Sequence, residues 1–147
     1  MKTTIATTKE QSGRLIACGV SIDTADMMFT PHNTLSTEPY KSVLKNRDYS
    51  PAWSLSALCW LLPKEIEVDE SPYDEVQKYG LLIYPFMDGW QVDYQYCEDD
   101  ECHCLKCVHG ADLIEACVQL IEWLTANGYK LHDPDCLCRE KGGENDC

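Results

Sequence analysis

The 147-residue chain has only 12 Lys and Arg, only two Phe, and no run of more than six apolar residues. Runs as short as Leu81-Leu82-Ile83-Tyr84 exclude a membrane helix, which takes ~20 apolar residues. The opening Met1–Glu10 has no apolar stretch and reaches an acid by its tenth position. That predicts a chain made and kept in the cytosol rather than exported. The scarcity of bases argues against a direct nucleic-acid contact, because a polyanion is bound by exchanging its counterions for Lys and Arg. Catalytic signatures are missing too. There is no His-Glu-x-x-His, no His-x-Glu paired with Pro-Cys-x-x-Cys, no Gly-x-Gly-x-x-Gly and no Gly-x4-Gly-Lys-Ser/Thr. Lys141-Gly142-Gly143-Glu144 is a lone glycine pair in an acidic stretch. Nothing therefore points to hydrolytic zinc, deaminase or nucleotide chemistry, and the expectation is a non-enzyme with no catalytic residues and no small-molecule substrate.

Two totals are high: 25 acids, giving a formal charge of −13, and ten cysteines. The charge is unevenly placed, with residues 1–64 at +2 and residues 65–147 at −15. Such a charge distribution bears on solubility and on association with a basic partner, not on fold. With 44% hydrophobic residues, the composition is that of one globular domain over 1–147. Three parts are distinguishable: an N-terminal strand and long loop (1–50), a core (51–131) and a Cys-containing tail (132–147).

Arg14-Leu15-Ile16-Ala17-Cys18-Gly19-Val20-Ser21-Ile22 is rich in β-branched residues and predicts a strand. Residues 31–50 have no clear period and predict a surface loop carrying Lys41, Lys45 and Arg47. Ser50 as N-cap, Pro51 at the first helical position and Pro63 as a stop predict a helix over 51–62. Glu65–Asp69 alternates as an edge strand would. Tyr79–Phe86 and Trp90–Tyr96 predict a hairpin turned at Asp88-Gly89, and Pro85 implies that its first strand is an edge or is bulged there. Leu113, Ile114, Cys117, Leu120, Ile121 and Leu124 recur at helical spacing, with Asn127-Gly128 as the stop, predicting a helix over 111–127. The fold class expected is α+β: a small antiparallel sheet, built on the hairpin at about 79–96 with additional strands, packed against two helices.

Cys97, Cys102, Cys104 and Cys107, with His103 and His109, fall within thirteen residues between the hairpin and the last helix, which predicts a zinc-stabilised Cys-rich loop, and Cys136 and Cys138 lie in the tail. Three uses compete: a metal site, reduced unpaired thiols, and disulfides. A reducing cytosol favours metal, and zinc with four tetrahedral ligands first among metals. Cys104-Leu105-Lys106-Cys107 has the commonest near-pair spacing. A helix over 111–127 rises roughly 25 Å, and the eight residues from Gly128 to Cys136 span up to roughly 26 Å, so Cys136 and Cys138 can return to it. The expected structural zinc ligands are Cys104, Cys107, Cys136 and Cys138, with Cys102 and His109 in reserve; Lys106 and Arg139 are local counter-charges. A site made wholly within 97–109 stays open. Cys18, Cys59 and Cys117 sit in apolar patterns and are expected in the core.

Glu98-Asp99-Asp100-Glu101 is the densest acidic run and the expected partner-binding surface. Acids presented to a basic groove give fast, salt-sensitive association and exclude the groove's usual polyanion. A zinc-stabilised adaptor, in which the charge serves solubility alone, is the other reading. The arrangement Ser54–Ile66, then Asp88-Gly89-Trp90-Gln91-Val92, then Leu113–Leu124 and Asn127-Gly128-Tyr129 resembles a group of small proteins of phages and mobile elements in gut bacteria. With the acidity and the cysteines, the chain is similar to anti-CRISPR inhibitors of type II systems, some of which carry zinc. The resemblance implies direct binding of a CRISPR effector nuclease in the bacterial cytosol, hindering DNA loading, with no membrane involved.

Overall fold

The computed structural model describes residues 4–43, 46, 48–69 and 76–132. Among the described residues the expected α+β class is found, as two small antiparallel sheets and three helices. The first element corrects the sequence reading: α1 (Lys9–Ala17) is a helix where a strand beginning at Arg14 was expected. A capping box starts it, with Thr8 Oγ1 accepting from the Gln11 amide at 3.1 Å and Gln11 Oε1 accepting from the Thr8 amide at 2.9 Å. The β-branched run that suggested a strand is the end of α1 plus the loop after Gly19, whose φ of 92° lets the chain turn back.

A small sheet follows, in the order β2-β1-β3, from β1 (Met27–Phe29), β2 (Leu35–Ser36) and β3 (Ser50–Ala52). The stretch expected as a loop over 31–50 thus contains β2 and a 3-10 turn at Tyr40–Val43, and Tyr40 is buried. Pro51 is in a strand, not in the first turn of a helix; the position is an edge, where a missing N–H costs no pairing. The helix itself, α2, is Leu55–Leu61, capped by Ser54, whose Oγ accepts from the Ala57 amide at 3.2 Å.

The larger sheet is a meander of β4 (Glu65–Asp69), β5 (Val76–Phe86), β6 (Gly89–Glu98) and β7 (Glu101–Gly110). β4 pairs with β5 only as far as Gly80, so Pro85 lies on a stretch of β5 whose outer side is unpaired, as its missing donor requires. Finally α3 (Leu113–Ala126) begins at the N-cap Asp112 and ends at Asn127. Its expected stripe is buried except at half-buried Leu113: Ile114, Cys117, Leu120, Ile121 and Leu124 are at most 2% exposed. α3 lies on β6 and β7 and is flanked by α1 and α2. Ile66, Tyr79, Val92, Tyr94 and Val108 belong to the same apolar core as α3 and define the inner face of the sheet.

Gly89 does different work from that expected. It is not in the turn, whose two residues are Met87 and Asp88, but pairs with Phe86 in the strand. A Cβ there would sit 2.4 Å from the Gly110 carbonyl oxygen. Gly89→Ala should therefore destabilise by about 1–3 kcal/mol through overpacking of β6 against the end of β7. Urea unfolding at matched conditions measures it, and a wild-type midpoint would refute the contact.

Candidate metal centre

The segment expected as a loop over 97–109 is instead the end of β6 and nearly all of β7. In a regular strand, residues three apart point to opposite faces, so Cys104 and Cys107 could not share a ligand. A bulge removes that obstacle. Tyr94 pairs with Lys106 and Gln95 with Cys104, leaving Leu105 as an extra residue on β7. The extra residue changes the parity of the strand and puts both thiols on the outer face, remote from α3.

Directly across from Cys107 stands Asp93. One ligand atom each from Asp93, Cys104 and Cys107 lies within 4.8 Å of the other two, so the group could hold a metal ion. The sulfurs are exposed, whereas Asp93 is only 1% exposed and forms the floor. Its Oδ2 accepts a hydrogen bond from the Tyr84 hydroxyl at 2.7 Å. Among the described residues, its Oδ1 is buried with no hydrogen-bond partner. A buried, unsatisfied carboxylate oxygen is costly unless a cation or donor meets it.

The neighbouring groups register that concentration of negative charge. Loss of water around the sulfur, then the Cys104 thiol and the Asp93 carboxylate, push the Cys107 thiol up to about 12. The hydrogen bond to Asp93, with some loss of water, likewise raises the Tyr84 hydroxyl to about 12. Two soft thiols with one carboxylate suit a thiophilic divalent ion better than magnesium or calcium, which take oxygen ligands.

The structure brings together two of the expected ligands, Cys104 and Cys107, and adds Asp93, which the sequence reading missed. Alternation puts Asp93 on the face of β6 away from Val92 and Tyr94, which by itself points to solvent; only cross-strand pairing shows what covers it. Cys136 and Cys138 lie outside the described residues. Of the reserves, Cys102 is in a disulfide with Cys97, the residue directly opposite on β6. In that state Cys102 is not a free ligand, and the preference for metal over a disulfide is corrected for this pair. His109 is not in the cluster: its Nε2 is 3.2 Å from the Phe86 carbonyl oxygen. Lys106 is no counter-charge to the site, because its Nζ lies 5.9 Å over the Trp123 ring, on the inner side.

The acidic run has its own geometry. Glu98 and Glu101 close the strands, and Asp99 and Asp100, with φ of 50° and 66°, form the two-residue turn between them. A turn with both central residues at positive φ suits Asp, whose short side chain tolerates that region. All four acids are exposed. In the helical layer, Cys117 is buried as expected, while Cys18 and Cys59 are only half-buried. A hydrogen bond between the Cys59 and Cys117 thiols lowers Cys59 to about 7 and raises Cys117. No helix among the described residues is long and apolar enough to cross a membrane. Set against known protein families, curated proteins and solved structures, the chain matches none.

Proposed function

We propose that the chain is a non-enzymatic binding protein of the anti-CRISPR type, a zinc-stabilised scaffold that presents acids to the basic DNA path of an RNA-guided nuclease. The observation that carries this reading is the acidic tip: four exposed carboxylates, Glu98 to Glu101, on and beside a two-residue turn. An anionic tip on a two-stranded ribbon suits a groove shaped for a phosphate backbone, with fast, salt-dependent association. Exposed Glu65, Glu67 and Asp69 on β4 extend the same sign of charge. Zinc is the metal assigned to Asp93, Cys104 and Cys107, because thiolates with one carboxylate match its usual donors. The metal's work here is structural, tying β6 to β7.

The test changes charge while respecting the backbone: Glu98→Lys and Glu101→Lys, with Asp99→Asn and Asp100→Asn, since Asn keeps the positive φ. Affinity for a type II effector nuclease, measured across a salt series, should fall more than tenfold in this variant. Its salt slope should flatten and its thermal midpoint should stay put. Unchanged affinity would remove the tip as the interface, and salt-indifferent binding by the wild type would favour the adaptor reading instead.

A further inference from the structure

We propose that the Cys97–Cys102 disulfide gates the metal site: when it is reduced, Cys102 becomes the fourth protein donor beside Asp93, Cys104 and Cys107. The inference rests on the metal reading of that trio. The side-chain period of two puts Cys97 and Asp93 on one face of β6, and Cys102 and Cys104 on the same face of β7, with the bulge at Leu105 returning Cys107 to it. Four sulfurs and a buried carboxylate thus share one surface without any change of fold. Residues two apart on a strand are separated by ~6.6 Å, a gap that two thiolates each ~2.3 Å from a common ion can bridge. Cys102 is that close to Cys104. Cys97 is four residues from Asp93 along its own strand, so it is the leaving partner and not the ligand.

The trio supplies three donors where structural zinc takes four. The missing one is needed on the solvent side, because Asp93 already closes the inner side and both sulfurs are exposed. Cys97 and Cys102 are both exposed and close a short loop, so small thiols can reach the bond. Two equivalents of a small thiol such as glutathione supply two electrons and two protons. The S–S bond breaks, two protein thiols form, and the small thiol leaves as its own disulfide. On coordination, Cys102 releases its proton to solvent. Oxidation by the small disulfide reverses the sequence and withdraws the donor.

Cobalt(II) and zinc titrations of the full chain test this, the first reporting thiolate ligation by its charge-transfer absorption and the second by competition with a chromogenic chelator. Compared are the oxidised protein, the protein reduced by a phosphine, and the reduced variants Cys97→Ser, Cys102→Ser, Cys104→Ser/Cys107→Ser and Cys136→Ser/Cys138→Ser. Reduced wild type and Cys97→Ser should show one thiolate more than the oxidised protein and bind zinc at least tenfold more tightly. Cys102→Ser should stay at the oxidised level even when reduced. If Cys102→Ser matches reduced wild type, or if Cys136→Ser/Cys138→Ser loses the extra thiolate instead, the gate is refuted. If Cys104→Ser/Cys107→Ser binds zinc as wild type does, the metal reading itself fails.

Discussion

Replacing Asp93 with Asn should weaken zinc binding at least 100-fold while leaving the metal-free protein as stable as the wild type, or more stable. The opposite signs follow from the site. Without metal, a carboxylate 1% exposed has one oxygen satisfied by Tyr84 and the other by none of the described residues. Its charge faces two sulfurs; loss of water first, then the Cys104 thiol and the Asp93 carboxylate, raise the Cys107 thiol to about 12. Asn keeps the shape and an acceptor for the Tyr84 hydroxyl, but removes the uncompensated charge, a relief of about 1 kcal/mol. With metal, that charge is the strongest donor on the floor of the site. A 100-fold loss of affinity removes about 2.7 kcal/mol of stabilisation at saturating zinc. Thermal unfolding with zinc and with chelator, alongside calorimetric titration, reads both effects. Equal destabilisation in the two conditions would make Asp93 a plain acceptor for Tyr84 and would end its role as a ligand.

Glu115→Gln should cost about 2–3 kcal/mol at pH 7, and the difference from wild type should disappear as the pH approaches 2. Glu115 on α3 takes a two-pronged contact from Arg14 on α1, Nη1 to Oε1 at 2.7 Å and Nη2 to Oε2 at 3.0 Å. Gln11 and Gln119 donate to the same carboxylate at 2.9 and 2.8 Å. Arg14 also binds Glu122, which Glu115→Gln leaves in place and which keeps the cost below the full value. The pair is largely enclosed, with 29% and 28% of the side-chain surface exposed, so solvent screens it less than a surface ion pair.

The Arg14 guanidinium, followed by the amide donors, lowers Glu115 from 4.5 to about 2. The group is a carboxylate with a depressed folded value. Its stabilisation is therefore complete above 4.5 and lost as the pH falls through about 2. Because the comparison is between wild type and variant, the general effect of acid on a chain of charge −13 largely cancels. Denaturant unfolding at a series of pH values measures the window. A difference that persists at pH 2 would assign the effect to packing rather than to the charge pair.

The sequence by itself determined the elements whose signals are periodic. The stripe from Leu113 to Leu124 could be satisfied only by burying one side of a long helix, and the stop at Asn127-Gly128 left little freedom over its end. The hairpin about Met87-Asp88 and the acidic edge strand at Glu65–Asp69 were legible for the same reason, because alternation separates two faces. α1 was legible too, through Thr8-Lys9-Glu10-Gln11, but the β-branched residues beyond Ala17 spoke louder than the capping box. The candidate site was half legible: Cys104 and Cys107 advertised themselves by spacing, and Asp93 did not. Only the tertiary structure could seat the three together. One unpaired residue at Leu105 inverts the parity of β7, and no local preference announces it. It also decided that Cys102 faces Cys97 as a disulfide rather than joining the ligands directly. Local periodicity fixes which side of a strand a residue is on; which strand lies beside it, in what register, is set by contacts distant in the chain.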